Sequence, residues 1–144
     1  MKFISIAMLL ALLATATNTQ VPANVKEAFA KKFPKAQEVN WQEIETDQDT
    51  EYEASFVDAR KEKSSLFLSN GQWLETTTWL DEESEMPANV KSTLKEELEG
   101  ELSYDVLKWV EKQDLAYYEV TVTDEDDTEW TARITKDGKL LDLQ

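Results

Sequence analysis

One pattern occurs twice in this chain, and it constrains the fold more than any other feature. Val21-Pro22-Ala23-Asn24-Val25-Lys26 returns 65 positions later as Met86-Pro87-Ala88-Asn89-Val90-Lys91. Further along, Tyr52-Glu53-Ala54-Ser55-Phe56-Val57-Asp58 is answered by Tyr118-Glu119-Val120-Thr121-Val122-Thr123-Asp124. Asn70-Gly71-Gln72-Trp73-Leu74 is answered by Asp137-Gly138-Lys139-Leu140-Leu141, and Trp41 and Trp109 hold similar places between the first two landmarks. Landmarks kept in one order mean a small unit built twice, so whatever face one copy makes, the other makes as well.

Each copy opens with a helix. Pro22 and Pro87 suit a first helical turn, where a missing N–H costs nothing. Val25, Ala28, Phe29 and Phe33 fall at helical spacing in the first copy, and Val90, Leu94 and Leu98 in the second. Alternating segments follow and predict strands over 38–45, 51–58, 63–69 and 72–80, then over 104–112, 116–124, 128–136 and 139–143. Asn70-Gly71 and Asp137-Gly138 predict two-residue hairpin turns with positive φ at both central positions. Short connections make successive strands antiparallel neighbours. The expected class is α+β: two tandem helix-plus-four-stranded antiparallel units, each helix on one face of its sheet. The first unit is placed at 17–80 and the second at 81–144, with the acidic run Asp81 to Glu85 as the junction.

Residues 1–16 read as an export signal. Lys2 gives the positive start, Phe3 to Ala14 is almost unbroken apolar sequence, and Ala14-Thr15-Ala16 is a small-x-small cleavage pattern. The apolar run falls short of the roughly 20 residues that span a bilayer. The alternatives are an N-terminal anchor and a buried helix; the cleaved signal accounts for all three features. The expected mature chain starts near Thr17 in the periplasm or outside the cell, with no membrane insertion. The formal charge is −15, and losing residues 1–16 removes one Lys and no acid, leaving −16. Such a charge repels nucleic acid and anionic lipid and suits a basic protein or a divalent cation. The plainer account is solubility. With no Cys, no disulfide helps the fold, so burial of apolar surface must hold it.

The Pro-Ala-Asn-Val helix starts, the Tyr-Glu-x-x-Phe/Val strand pair, the Asn-Gly-x-Trp-Leu hairpin and the export signal together resemble the PepSY-like family of Bacteroidetes periplasmic proteins. The resemblance runs from about Val21 to Gln144. It implies a fold like that of beta-lactamase inhibitor protein, with the strands of both units joined into one long curved sheet. It also implies no enzyme activity, and it carries no functional residue onto any position here.

The residues themselves offer little chemistry. His and Cys are both absent, which removes the usual bases, thiolates and soft-metal ligands. Only oxygen ligands remain, so calcium or magnesium is the one metal class to consider, and no other cofactor is implied. Two acidic sets stand out: Asp47, Asp49 and Glu51, and Asp124, Asp126, Asp127 and Glu129. Alternating Asp on a turn can aim several oxygens at a hard cation, while the simpler reading is a solvated acidic hairpin. Neither set has the EF-hand pattern. A small hydrolase using paired carboxylates is a third, weaker reading.

Aromatic residues carry the leading expectation. Alternation places Tyr52 and Phe56 on one face of their strand, and Trp73 and Trp79 on one face of the last strand of the first copy with Leu74 and Leu80 opposite. One set packs under the helix, and the other is left for a partner unless the sheet closes on itself. Tyr52, Phe56, Trp73 and Trp79 are therefore the expected partner-binding residues of a non-enzymatic module that recognises a protein or peptide of the cell envelope as an inhibitor or regulator. The rival is a calcium-responsive envelope protein.

Overall fold

The structure, a computed structural model, describes residues 20–144, so the expected signal segment lies outside the described residues. The first unit comprises α1 (Ala23–Lys32), β1 (Gln37–Glu45), β2 (Thr50–Asp58), β3 (Lys61–Leu68) and β4 (Trp73–Trp79). After a 3₁₀ turn at Glu83–Glu85, the second comprises α2 (Ala88–Glu97), β5 (Ser103–Lys112), β6 (Ala116–Thr123), β7 (Glu129–Ile134) and β8 (Leu140–Leu143). The eight strands form one antiparallel sheet in sequence order, β1 to β8. The units join where β4 pairs with β5, from Glu75 opposite Lys112 to Trp79 opposite Lys108.

Each unit keeps its own core. Val25 and Phe29 of α1 pack on Tyr52, Ala54, Phe56 and Phe67, with Trp41 and Trp73 at the margin. Val90 and Leu94 of α2 pack on Leu107, Val120, Val122, Ala132 and Ile134. The register shows that both helices lie on one side of the sheet. Phe67 shares a strand face with Ser65, Ser65 opposes Thr76, Thr78 opposes Trp109, and Leu107 opposes Val120. The seam between the cores is polar: the buried Ser65 and Thr76 hydroxyls lie 2.9 Å apart, and Trp73 Nε1 donates to Thr76 Oγ1 at 2.9 Å.

The repeated landmarks meet in space. Asn24 Nδ2 donates to the Ser69 carbonyl at 3.1 Å, and Asn89 Nδ2 donates to the Lys136 carbonyl at 2.9 Å. The Pro-Ala-Asn-Val start of each helix is thus tied to the last hairpin of its own unit. Those hairpins differ from expectation. Only Gly71 (φ 88°) and Gly138 (φ 90°) have positive φ; Asn70 and Asp137 do not. Gly71 N–H donates to the Leu68 carbonyl and Leu68 N–H to the Gln72 carbonyl, which makes a three-residue loop with a glycine bulge; Thr135 to Lys139 repeats it.

A two-residue turn of the expected kind does occur, at a place with no Asn-Gly or Asp-Gly to signal it. Between β2 and β3, Ala59 (φ 51°) and Arg60 (φ 63°) both hold left-handed conformations that L-residues adopt at a cost of about 1–2 kcal/mol each. Asn-Gly is the preferred pair for such a turn. The double change Ala59→Asn, Arg60→Gly is expected to stabilise the protein by about 1–2 kcal/mol, read as a rise in the urea midpoint at constant slope. An unchanged midpoint would show that the turn carries no such strain.

The unit junction is not a loose acidic run. Lys61 Nζ reaches Asp81 Oδ2 at 2.5 Å and Glu85 Oε2 at 2.7 Å, which pins the linker to the β2–β3 hairpin. Glu85 also accepts from the Asp81 and Glu82 backbone N–H groups.

Candidate functional site

The sheet face away from both helices is covered by no element among the described residues. Its positions follow from strand parity: Asn40 and Gln42 of β1, Glu53 and Ser55 of β2, Glu62, Ser64 and Leu66 of β3, Glu75, Thr77 and Trp79 of β4, Lys108 and Val110 of β5, Tyr117 and Glu119 of β6, Arg133 of β7 and Asp142 of β8. The two halves of this face differ. On the second unit the charges are paired in a ladder. Lys108 Nζ lies 3.4 Å from Glu119 Oε1, Arg133 Nε lies 3.0 Å from Glu119 Oε2, and Arg133 Nη1 lies 3.9 Å from Asp142 Oδ2. Beside that ladder Val110 and Tyr117 are buried although no helix covers them, with the Arg133 guanidinium 5.8 Å from the Tyr117 ring centroid. On this half the face seals part of its own apolar surface.

The first-unit half is open. A groove of about 270 Å³ is lined by Glu38, Asn40, Ser55, Phe56, Val57, Glu62, Lys63 and Trp79. It lies where β1 is irregular: the pairing shifts between Gln37 and Asn40, and Glu38 has φ 54°. Bulges of this kind bend a strand and re-aim side chains, and they are common beside functional sites. Trp79, 36% exposed, forms the apolar wall.

Of the four expected partner-binding residues, the structure leaves only Trp79 exposed on this face. Tyr52 and Phe56 share a strand face as expected, but it is the helix face, and both are buried beneath α1. Trp73 is separated from Trp79. Leu66 pairs with Glu75 and Phe67 with Trp73, so Leu74 is an extra residue in β4, a bulge that inverts side-chain parity. Trp73 therefore joins the helix side with Phe67, where Lys32 Nζ sits 3.8 Å from its ring centroid.

The acidic sets do not converge. Among the described residues no group of three or more acidic side chains is arranged to hold a metal ion. Asp124 turns its carboxylate into its own loop, accepting from the Asp126 and Thr128 backbone N–H groups through Oδ1 and from Trp130 Nε1 through Oδ2. Asp126 and Asp127 are exposed in that turn, and Glu129 starts β7. In the other set, Asp49 Oδ1 accepts from Thr50 N–H and Ser69 Oγ, Asp47 is exposed, and Glu51 belongs to β2. Asp124 and Asp49 thus each organise their own hairpin. A Ser-x-x-Lys spacing, the pattern of some serine nucleophiles, occurs at Ser92 and Lys95 on α2. Ser92 Oγ there donates to the Ala88 carbonyl at 3.0 Å, within its own helix.

The same bonds set an acid dependence. The Trp130 indole, followed by backbone donors, holds the Asp124 carboxyl below its ordinary value, and the Thr135 hydroxyl does so for Asp137. Lys61 lowers Glu85. Burial pushes Glu119 up, but Arg133 and Lys108 together outweigh it and the net direction is down. A carboxyl lowered in the folded state stabilises above its unfolded pKa, and that stability is lost as pH falls through the folded value. The expected contribution of these groups is a loss of stability as pH drops through and below about 4. Asp124→Asn is expected to make this acid limb shallower, as measured by urea unfolding at stepped pH; a limb of unchanged slope would remove Asp124 from its causes.

The fold and the open face define a class: an α+β scaffold that presents one side of a continuous antiparallel sheet, with two helices backing the other. The sequence profile of the family described as beta-lactamase-inhibitor-like, PepSY-like matches residues 13–63 and again residues 50–142, and the chain belongs to that family. Three solved structures share the fold. A BLIP-like protein from Bacteroides fragilis superposes with a TM-score of 0.77 at 21% identity, covering 88% of this chain and 86% of that one. A DUF2874 family protein from Bacteroides ovatus gives 0.76 at 25% identity, covering 88% of each chain. A protein from Bacteroides eggerthii, whose name proposes a periplasmic location, gives 0.74 at 20% identity, covering 88% of this chain and 89% of that one. No curated protein matches the sequence. No helix among the described residues is long and apolar enough to cross a membrane.

Proposed function

We propose that this protein is an exported, non-enzymatic binding module that recognises a protein or peptide of the cell envelope through the open side of its sheet, as an inhibitor or regulator of that partner. The observation that supports this reading most directly is Trp79. It stands about a third exposed at the end of β4 on an uncovered sheet face, beside a groove. Large aromatic side chains are enriched at binding hot spots, and truncating one there typically costs about 2 kcal/mol or more in binding. The inhibitor-like description of the family agrees, as does the absence of His and Cys from the sequence.

The test separates binding from folding. Trp79→Ala is expected to cost less folding stability than removal of a fully buried ring such as Phe67, because 36% of Trp79 is exposed. A photo-crosslinking residue at position 79 is expected to capture a discrete envelope protein, and the same residue at Lys95, on the helix side, is not. Equal capture from both sides, or from neither, would remove the open face as the recognition surface.

A further inference from the structure

Resting on the open-face reading, we propose that the groove beside Trp79 receives a single cationic side chain, Arg or Lys, from an extended segment of the partner. Size is the first reason. At about 270 Å³ the groove falls below the range of pockets that enclose whole small ligands, and it suits one side chain.

Charge is the second. It is set by which lysines are held: Lys63, in the lining, faces Asp58 at 2.9 Å, Lys61 faces Asp81 and Glu85, and Lys108 faces Glu119, while Arg60 in the β2–β3 turn is exposed and outside the lining. Of the acids on this half of the face, Glu75 is paired with Lys112 at 3.4 Å, but those at and beside the groove are not paired. Glu38 and Glu62 line the groove, Glu53 lies on the same face, and none of the three forms an ion pair among the described residues. The lining thus offers two carboxylates, Glu38 and Glu62, against one lysine that Asp58 already faces, and a basic side chain supplies what it lacks.

The third reason is the aromatic wall. Two other aromatic rings, the half-buried Trp73 and the buried Tyr117, are each faced by a cation of this chain, Lys32 and Arg133 respectively. Trp79 has no such cation among the described residues. An indole face attracts a guanidinium or ammonium, most strongly among the aromatic residues, and carboxylates alongside reinforce the attraction. Asn40 and Ser55, also in the lining, can accept the remaining N–H groups.

The test uses two fluorescein-labelled peptides of alternating Thr and Arg, and of alternating Thr and citrulline. Citrulline keeps the shape of Arg without its charge. Fluorescence anisotropy reports affinity, and the Trp79 indole N–H resonance reports location. The Arg peptide is expected to bind about tenfold or more tighter than the citrulline peptide, to shift the Trp79 resonance, and to weaken as salt is raised. Glu38→Gln with Glu62→Gln, and separately Trp79→Ala, are each expected to reduce affinity about tenfold, while Glu97→Gln on α2 leaves it unchanged. Circular dichroism of each variant checks that the fold is intact.

Equal affinity for the two peptides overturns the proposal. So does an equal loss from Glu97→Gln, which would mean diffuse attraction to an acidic protein. If position 79 still crosslinks an envelope protein while the Arg peptide fails to bind, the cationic-groove proposal falls and the open-face reading stands. If crosslinking fails as well, both fall.

Discussion

Phe67→Ala is expected to cost about 3–5 kcal/mol of folding stability, more than any other substitution proposed for this protein. Phe67 sits on β3 with no exposed surface and is the largest fully buried side chain. Its ring centroid lies 6.2 Å from that of Phe29 and 6.4 Å from that of Trp41, so it is where α1 and β1 meet the sheet. Removing it leaves a cavity walled by rings and by the polar Ser65–Thr76 seam. Aromatic walls anchored on two different elements cannot close such a cavity cheaply. The measurement is equilibrium urea unfolding followed by tryptophan fluorescence, since Trp41 and Trp73 both border this core. The two cores are separate while the sheet is continuous, so the signal also shows whether the second unit unfolds with the first. A loss under about 1 kcal/mol would mean that this core relaxes around the void.

Gly71→Ala is expected to cost about 2 kcal/mol or more, from two causes that add. Gly71 has φ 88°, a left-handed conformation that costs a residue with a Cβ about 1–2 kcal/mol. A Cβ there would also stand 3.0 Å from the Asn24 backbone carbonyl oxygen, closer than an ordinary contact, and a backbone atom cannot swing aside. The hairpin or the start of α1 must then shift, which endangers the Asn24–Ser69 bond. Gly138 holds the matching place against Asn89, with its nearest contact at 3.3 Å. Gly138→Ala is accordingly expected to cost less than Gly71→Ala. Chemical denaturation of both variants beside the parent gives the two values; a larger loss at Gly138 would contradict the geometric ranking.

The repeat makes most of this architecture legible in the sequence alone. The helix starts at Pro22 and Pro87, the eight strand segments, their antiparallel order and the α+β class all follow from local chemistry and short connections, and the structure has them. The repeated Asn and Gly are visible too, but not why they recur. Only the docking of Asn24 on Ser69 and of Asn89 on Lys136 shows that they hold each helix against its last hairpin.

The partner surface is legible in kind but not residue by residue. An uncovered sheet face follows from two helices and one sheet, since alternation must send half the side chains the other way. Which residues point there depends on register, and one inserted residue reverses it. Leu74 does this within β4, separating Trp73 from Trp79, and nothing in Asn70-Gly71-Gln72-Trp73-Leu74 announces a bulge. Tyr52 and Phe56 share a face by alternation, but a strand's own alternation cannot say which face a helix will take; the buried contact with α1 decides it. The acidic loops show the same division. Sequence determined that Asp124 stands among other acids in a turn, but only the folded loop shows three N–H groups aimed at its one carboxylate. Local preference and periodicity thus determined the elements and their order, while register, bulges and side-chain partners, which depend on contacts between distant residues, were decided by tertiary structure alone.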